Sequence, residues 1–185
     1  MALYTGKGDG GTTKLFDSKS GERVSKSAPI FEALGTLDEL NTFVGWCRSA
    51  CAVDWIVGEQ PISAVLFDVQ QHLFTIQAEL AGAKKHIPAK NVKELEARIE
   101  LIEAQLPEIT TFFVPGGSEL SSRLDVTRAV SRRAERTLVT VTEDGRKLSE
   151  HTLAYANRLS SLLYALVRFV NHKTGTADTP PEYVK

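Results

Sequence analysis

Residues 124–139 read LDVTRAVSRRAERTLV, with Leu124, Ala129, Val130, Ala134 and Leu138 recurring at helical spacing. Arg128, Arg132 and Arg136 follow one another four residues apart along the same helix, accompanied by Arg133 and Glu135. Like charges at that spacing repel by about 0.2–0.5 kcal/mol per pair, so an isolated helix gains nothing from them. Either the arginines spread into water as a solvated face, or acidic partners or a polyanion offset the repulsion.

The same period extends through the chain on either side. A first helix over residues 30–50 starts at Pro29 and carries Phe31, Leu34, Leu37, Leu40, Val44 and Cys47 as its apolar stripe. Gly35 and Gly45 within it predict close packing or a bend. Asp38, Glu39 and Asn41 are polar in a helix that otherwise reads as buried. A buried carboxylate needs a cation, which leaves Asp38 either a structural ion pair or a site residue. A second helix over 61–82 turns Val65, Leu66, Val69, Leu73, Ile76 and Leu80 inward, with His72 a core or interface histidine. A third over 90–106 repeats Leu95, Ile99, Ile102 and Leu106, turns Glu94, Glu96, Arg98, Glu100 and Glu103 outward, and ends at Pro107. The arginine helix runs over 118–141, and a fifth covers 149–171. No run alternates as a strand would, so the expectation is an all-α, five-helix bundle with left-handed, up-and-down-like packing and a glycine-rich N-terminal loop. Residues 1–173 form the domain in this reading, and 174–185, rich in Pro and Thr, a tail that is loose or laid along a neighbour.

Composition limits the function classes. A chain of 185 residues with net charge -1 has the length of one domain and no bulk attraction to nucleic acid or anionic membrane. Cys47 and Cys51 are too few for a disulfide framework or a zinc set. No 18-residue apolar run and no leader pattern occur, so the cytoplasm is the expected compartment, or an organelle lumen after leader removal.

Two non-helical stretches carry chemistry. MALYTGKGDGGTT, residues 1–13, exposes backbone N–H groups at Gly6, Gly8, Gly10 and Gly11 beside Lys7 and three threonines. It is either a flexible terminus or a phosphate-wrapping nest, and it is not a Walker A loop. The link TTFFVPGGSE, residues 110–119, must dock Phe112 and Phe113 beside a Pro-Gly-Gly turn. They form a core plug or a wall against an apolar ligand.

TGKGDGGTT (5–13), SKSAPIFEALGTLDELN (25–41), FFVPGG (112–117), RAVSRRAER (128–136) and YANRLSSLLY (155–164) together resemble the PduO-type ATP:cob(I)alamin adenosyltransferases. The resemblance covers nearly all of the chain to about residue 173, and the motifs in this order are highly specific. It implies a homotrimer with ATP and corrinoid at each subunit interface. Thr5, Lys7, Gly8, Asp9, Gly11, Thr12, Thr13 and Lys26 would embrace the triphosphate. Arg132, Arg133 and Glu135 would serve ATP and Mg²⁺, the metal arriving on the phosphates near Glu135, and Asn157 would lie at the nucleotide. Asp38 would pair with Arg128 to hold the interface and the corrinoid pocket, and Phe112 would sit under the corrin in place of the lower axial ligand. A flavoprotein reductase and an adenosylcobalamin-dependent acceptor enzyme are the implied partners. The rival is a trimeric ATP- or corrinoid-binding carrier or regulator without catalysis. Two positions depart from the family pattern: Gly6 stands where a basic residue normally follows the Thr, and Ser161 stands where Asp normally follows NRLS.

Overall fold

The computed structural model describes residues 3–52 and 54–184. Five helices make up the fold: α1 (Pro29–Ser49), α2 (Ile62–Leu80), α3 (Ala89–Glu103), α4 (Glu119–Glu143) and α5 (Glu150–Lys173). Two antiparallel pairs of two residues each accompany them: β1 (Thr12–Thr13) with β2 (Val24–Ser25), and β3 (Ile56–Val57) with β4 (Gln60–Pro61). The sequence reading contained neither pair, because two residues are too few to show a period.

Local chemistry sets the helix ends. Pro29 opens α1, where its missing N–H costs no helical hydrogen bond. Ser118 caps α4 by accepting from the Ser121 N–H, and Ser149 caps α5 by accepting from the His151 N–H. Gly82, at φ +97°, takes the left-handed conformation that ends α2. The Asp17 side chain packs so closely there that a Cβ would collide with it.

Helix α4 lies between α1 and α5, with α2 on α1 and α3 on α5. Every inward residue expected in α2 is buried, as are Leu124, Val130, Ala134 and Leu138 of α4. Ala129 is exposed, correcting its place in the α4 stripe, and Asp38 and Glu39 are exposed rather than buried on α1. Gly45 fulfils the close-packing expectation, since a Cβ there would lie 2.9 Å from the Gln70 amide, whereas Gly35 meets nothing within 4 Å. Arg98 is not an outward charge: it pairs with Asp68 at 2.6 Å and bonds Gln60 at 2.8 Å. Both cysteines are free, and burial pushes their thiols up, Cys51 to about 11.

His72 joins three helices. Asn91 Nδ2 donates to its Nε2 at 2.9 Å, which assigns the proton to Nδ1 for donation to the Tyr155 hydroxyl, also at 2.9 Å. Burial holds the His72 pKa below its usual value; Asp68 and Glu94 oppose that shift and Arg98 adds to it. The folded protein therefore disfavours the proton that the unfolded chain accepts below about pH 6.5. Stability should fall as pH drops through that value, because the unfolded chain then binds a proton that the folded site resists. Urea unfolding of His72→Gln is expected to show a flatter dependence between about pH 7 and 5, and a slope identical to wild type would contradict this assignment.

Candidate functional site

The glycine-rich segment is a folded loop. Asp9 N–H donates to Gly6 O at 3.2 Å and Gly11 N–H to Gly8 O at 3.1 Å, giving two consecutive turns. Lys26 N–H then donates to Gly11 O at 2.9 Å, laying β2 against the loop. This brings Lys26 over Gly8, where a Cβ would lie 3.0 Å from Nζ. Arg23, not identified as a site residue from sequence, straps the loop by donating to Thr12 Oγ1 at 2.8 Å and to the carbonyls of Thr12 and Lys7 at 2.6 Å each. Thr5, Lys7, Asp9 and Gly11 are exposed, Gly8, Thr12 and Thr13 half-buried, and Lys26 exposed. The result is a surface loop with cations at its rim. Its neighbour at 16–17 is tied to the far ends of α2 and α4, through Phe16 N–H to Ala81 O at 2.8 Å and Arg146 to Asp17 at 2.7 Å.

The second group of residues lies along α4, α5 and the 112–117 loop. Phe112, Arg128 and Arg132 share a cleft of about 730 Å³ with Phe113, Ser160 and Tyr164. Phe112 is 79% exposed and lines the cleft, so it is not a core plug. Arg128 Nε donates to Asp125 Oδ1 at 3.0 Å, and its guanidinium lies 5.9 Å from the Tyr164 ring centre. Burial raises the Tyr164 pKa, keeping that hydroxyl protonated. Arg132 is exposed and, among the described residues, has no carboxylate within 4.0 Å. Arg133 pairs instead with Glu39 of α1, and within the stripe Arg128 gains the carboxylate of Asp125. Asn157 Nδ2 donates to Glu135 at 2.6 Å, and its Oδ1 accepts from Arg158, which reaches Glu96 at 3.2 Å.

Among the described residues, no hydrogen bond or ion pair joins loop residues 5–13 or Lys26 to Arg132, Glu135 or Asn157. Arg128 takes Asp125 as its carboxylate partner, while Asp38 is exposed and has no ion-pair partner among the described residues. Reading 128 back three residues on the helix would have found Asp125, at a spacing where opposite charges meet. Ser161 lies on the cleft wall and Gly6 turns the loop at φ +67°.

The profile described as cobalamin adenosyltransferase matches residues 3–170. The chain is 39% identical over 175 residues to the corrinoid adenosyltransferase PduO of Salmonella typhimurium, covering 91% of this chain and 49% of the relative. It is 35% identical over 186 residues to the corrinoid adenosyltransferase of Bacillus subtilis, covering 98% of this chain and 93% of that one. The chain thus spans about half the length of the PduO relatives and nearly all of the shorter one. A variant PduO-type ATP:corrinoid adenosyltransferase from Lactobacillus reuteri, solved with cobalamin and ATP, superposes with a TM-score of 0.88. That structure is 28% identical, with 98% of this chain and 100% of that chain covered.

Proposed function

The chain belongs to the cobalamin adenosyltransferase family, and from that premise we propose that it moves the 5′-deoxyadenosyl group of ATP onto the cobalt of cob(I)alamin. The cobalt lone pair forms the Co–C5′ bond as the C5′–O bond breaks, and its electrons leave with tripolyphosphate. Adenosylcobalamin is the other product. The reduced metal is itself the nucleophile, so no general base is required.

The observation that carries this reading is the cleft that brings Phe112, Arg128 and Arg132 together, with Arg132 uncommitted to any carboxylate among the described residues. A free guanidinium suits a leaving group that gathers negative charge. Phe112 presents a bulky apolar face to the corrin. Excluding an axial ligand there eases reduction of cobalt, because that ligand donates electron density to the metal.

The lack of any bond between the loop and the helix residues, among the described residues of one chain, suits a site completed by a second copy, and the assembly we propose is the homotrimer. Thr5, Lys7, Gly8, Asp9, Gly11, Thr12, Thr13 and Lys26 of one subunit would hold the triphosphate against the arginine helix of its neighbour. Arg133, Glu135 and Asn157 would lie beside the nucleotide there. Arg128 commits only Nε to Asp125, leaving its terminal nitrogens for the interface pair with Asp38. Among the described residues no three His, Cys, Asp or Glu side chains gather as a metal site, so Mg²⁺ would enter on the phosphates, with Glu135 as the nearby carboxylate. A flavoprotein reductase would supply the electron, and an adenosylcobalamin-dependent enzyme would take the product. Among the described residues no helix is long and apolar enough to cross a membrane, and the cytoplasm is the compartment we propose.

Phosphorus NMR of the spent reaction tests the chemistry. One tripolyphosphate per adenosylcobalamin is expected. ADP with phosphate, or binding of ATP with no phosphate release, would replace this reading with that of an ATPase or a carrier.

A further inference from the structure

The loop that presents Phe112 is held from behind by the end of the chain. Arg168 of α5 is only 6% exposed, and its Nη2 donates to the Pro107 carbonyl at 2.8 Å, where the chain enters the 107–118 link. Its guanidinium lies 5.6 Å from the Phe113 ring centre. Its carboxylate partner comes from the tail: Asp178 Oδ2 accepts from Arg168 Nε at 3.4 Å. Asp178 Oδ1 accepts from Asn171 Nδ2 at 3.0 Å, and that amide also donates to Gly116 O at 3.3 Å. Gly116 N–H donates to Asp125 Oδ2 at 3.1 Å, and the other oxygen of Asp125 holds Arg128. One residue beyond Asp178, the Thr179 carbonyl accepts the Val114 N–H at 2.8 Å. Gly117, at φ +127°, sits so tightly on the Asn171 amide that a Cβ would collide with it. Bonds to the tail, α4 and α5 thus fix the loop at residues 114 and 116, two and four positions past Phe112.

We propose that Asp178 is a positioning residue for the cobalt reduction that precedes adenosyl transfer, a latch that sets the Phe112 loop and joins it through Asn171, Gly116 and Asp125 to Arg128. The physical reason lies in the buried guanidinium. Arg168 has no other carboxylate within 4.0 Å among the described residues, so without Asp178 a nearly buried charge is left unpaired beneath the loop. Water or a displaced Arg168 then takes the place of the tail, and the loop loses its register. Phe112 is mostly exposed and cannot hold its own position by packing. The inference rests on the proposed adenosyl transfer, and its effect should fall on the step that needs Phe112.

The test uses Asp178→Asn and Asp178→Glu in the full chain. Turnover from cob(II)alamin with a reductant should fall about tenfold or more in Asp178→Asn, while turnover from pre-reduced cob(I)alamin and ATP affinity stay within about threefold of wild type. Asp178→Glu, which keeps the charge, should recover part of the loss. Placing Asp178→Asn in a Phe112→Ala background should cost nothing further, because the first acts through the second. Equal loss from both cobalt states, or full additivity with Phe112→Ala, would overturn the latch. Amide hydrogen exchange supplies a readout that does not depend on activity: Val114 and Gly116 should exchange faster in Asp178→Asn, and unchanged protection would also overturn it. If wild type makes no adenosylcobalamin at all, the functional reading fails, and the exchange result still decides the latch.

Discussion

Replacing Arg132 by Ala is expected to lower the rate of adenosyl transfer by about 10²–10³-fold, with corrinoid affinity little changed. Tripolyphosphate gains charge as the C5′–O bond breaks, and a guanidinium already aimed at it needs no rearrangement in the transition state. Arg133 takes Glu39 and Arg128 takes Asp125, whereas Arg132 takes no carboxylate among the described residues and would be free for this role. Arg132→Lys should retain charge without the planar fork and recover only part of the rate. Single turnovers from pre-reduced cob(I)alamin isolate the step. A rate restored by more ATP alone would show that Arg132 serves binding and not transfer.

The second large effect is expected at Phe112. Phe112→Ala should retain ATP binding and lose about a hundredfold of the turnover that starts from cob(II)alamin and a reductant. That loss corresponds to about 120 mV in a one-electron couple, a reasonable cost for letting an axial ligand or water back to the cobalt. Starting from cob(I)alamin, the same variant should be much closer to wild type. Normal turnover from cob(II)alamin would remove Phe112 from the mechanism. The contrast between the two variants separates the two proposed roles: Arg132 would act on the leaving group whatever the source of Co(I), and Phe112 on the making of Co(I).

The helices were legible because burial repeats every 3.6 residues along them. In α2 each predicted inward position is buried, since one face meets α1 and the other side remains wet. The reading failed where a residue's partner is far in sequence. Asp38 and Glu39 looked buried because their neighbours are apolar, yet they lie on an exposed edge of α1, and Glu39 meets Arg133 on α4. The tail composition suggests looseness or a segment laid along a neighbour, and nothing in the spacing of 168, 171 and 178 announces that they close on one another. Arg23 looked like one more surface cation until the fold placed it across Thr12 and Lys7. Of the candidate site, Phe112, Arg128 and Arg132 do share a cleft, and Glu135 does reach Asn157. Among the described residues the glycine-rich loop makes no hydrogen bond or ion pair to Arg132, Glu135 or Asn157, which no one-dimensional pattern reveals.

The central claim is tested most directly by anaerobic conversion of cob(II)alamin to adenosylcobalamin, followed by absorbance, with ATP, Mg²⁺ and a reductant present and with ATP omitted as the control. The account predicts product formation that requires ATP and saturates with it. Tight ATP binding without any adenosylcobalamin would contradict it and leave the chain a nucleotide-binding relative of these enzymes.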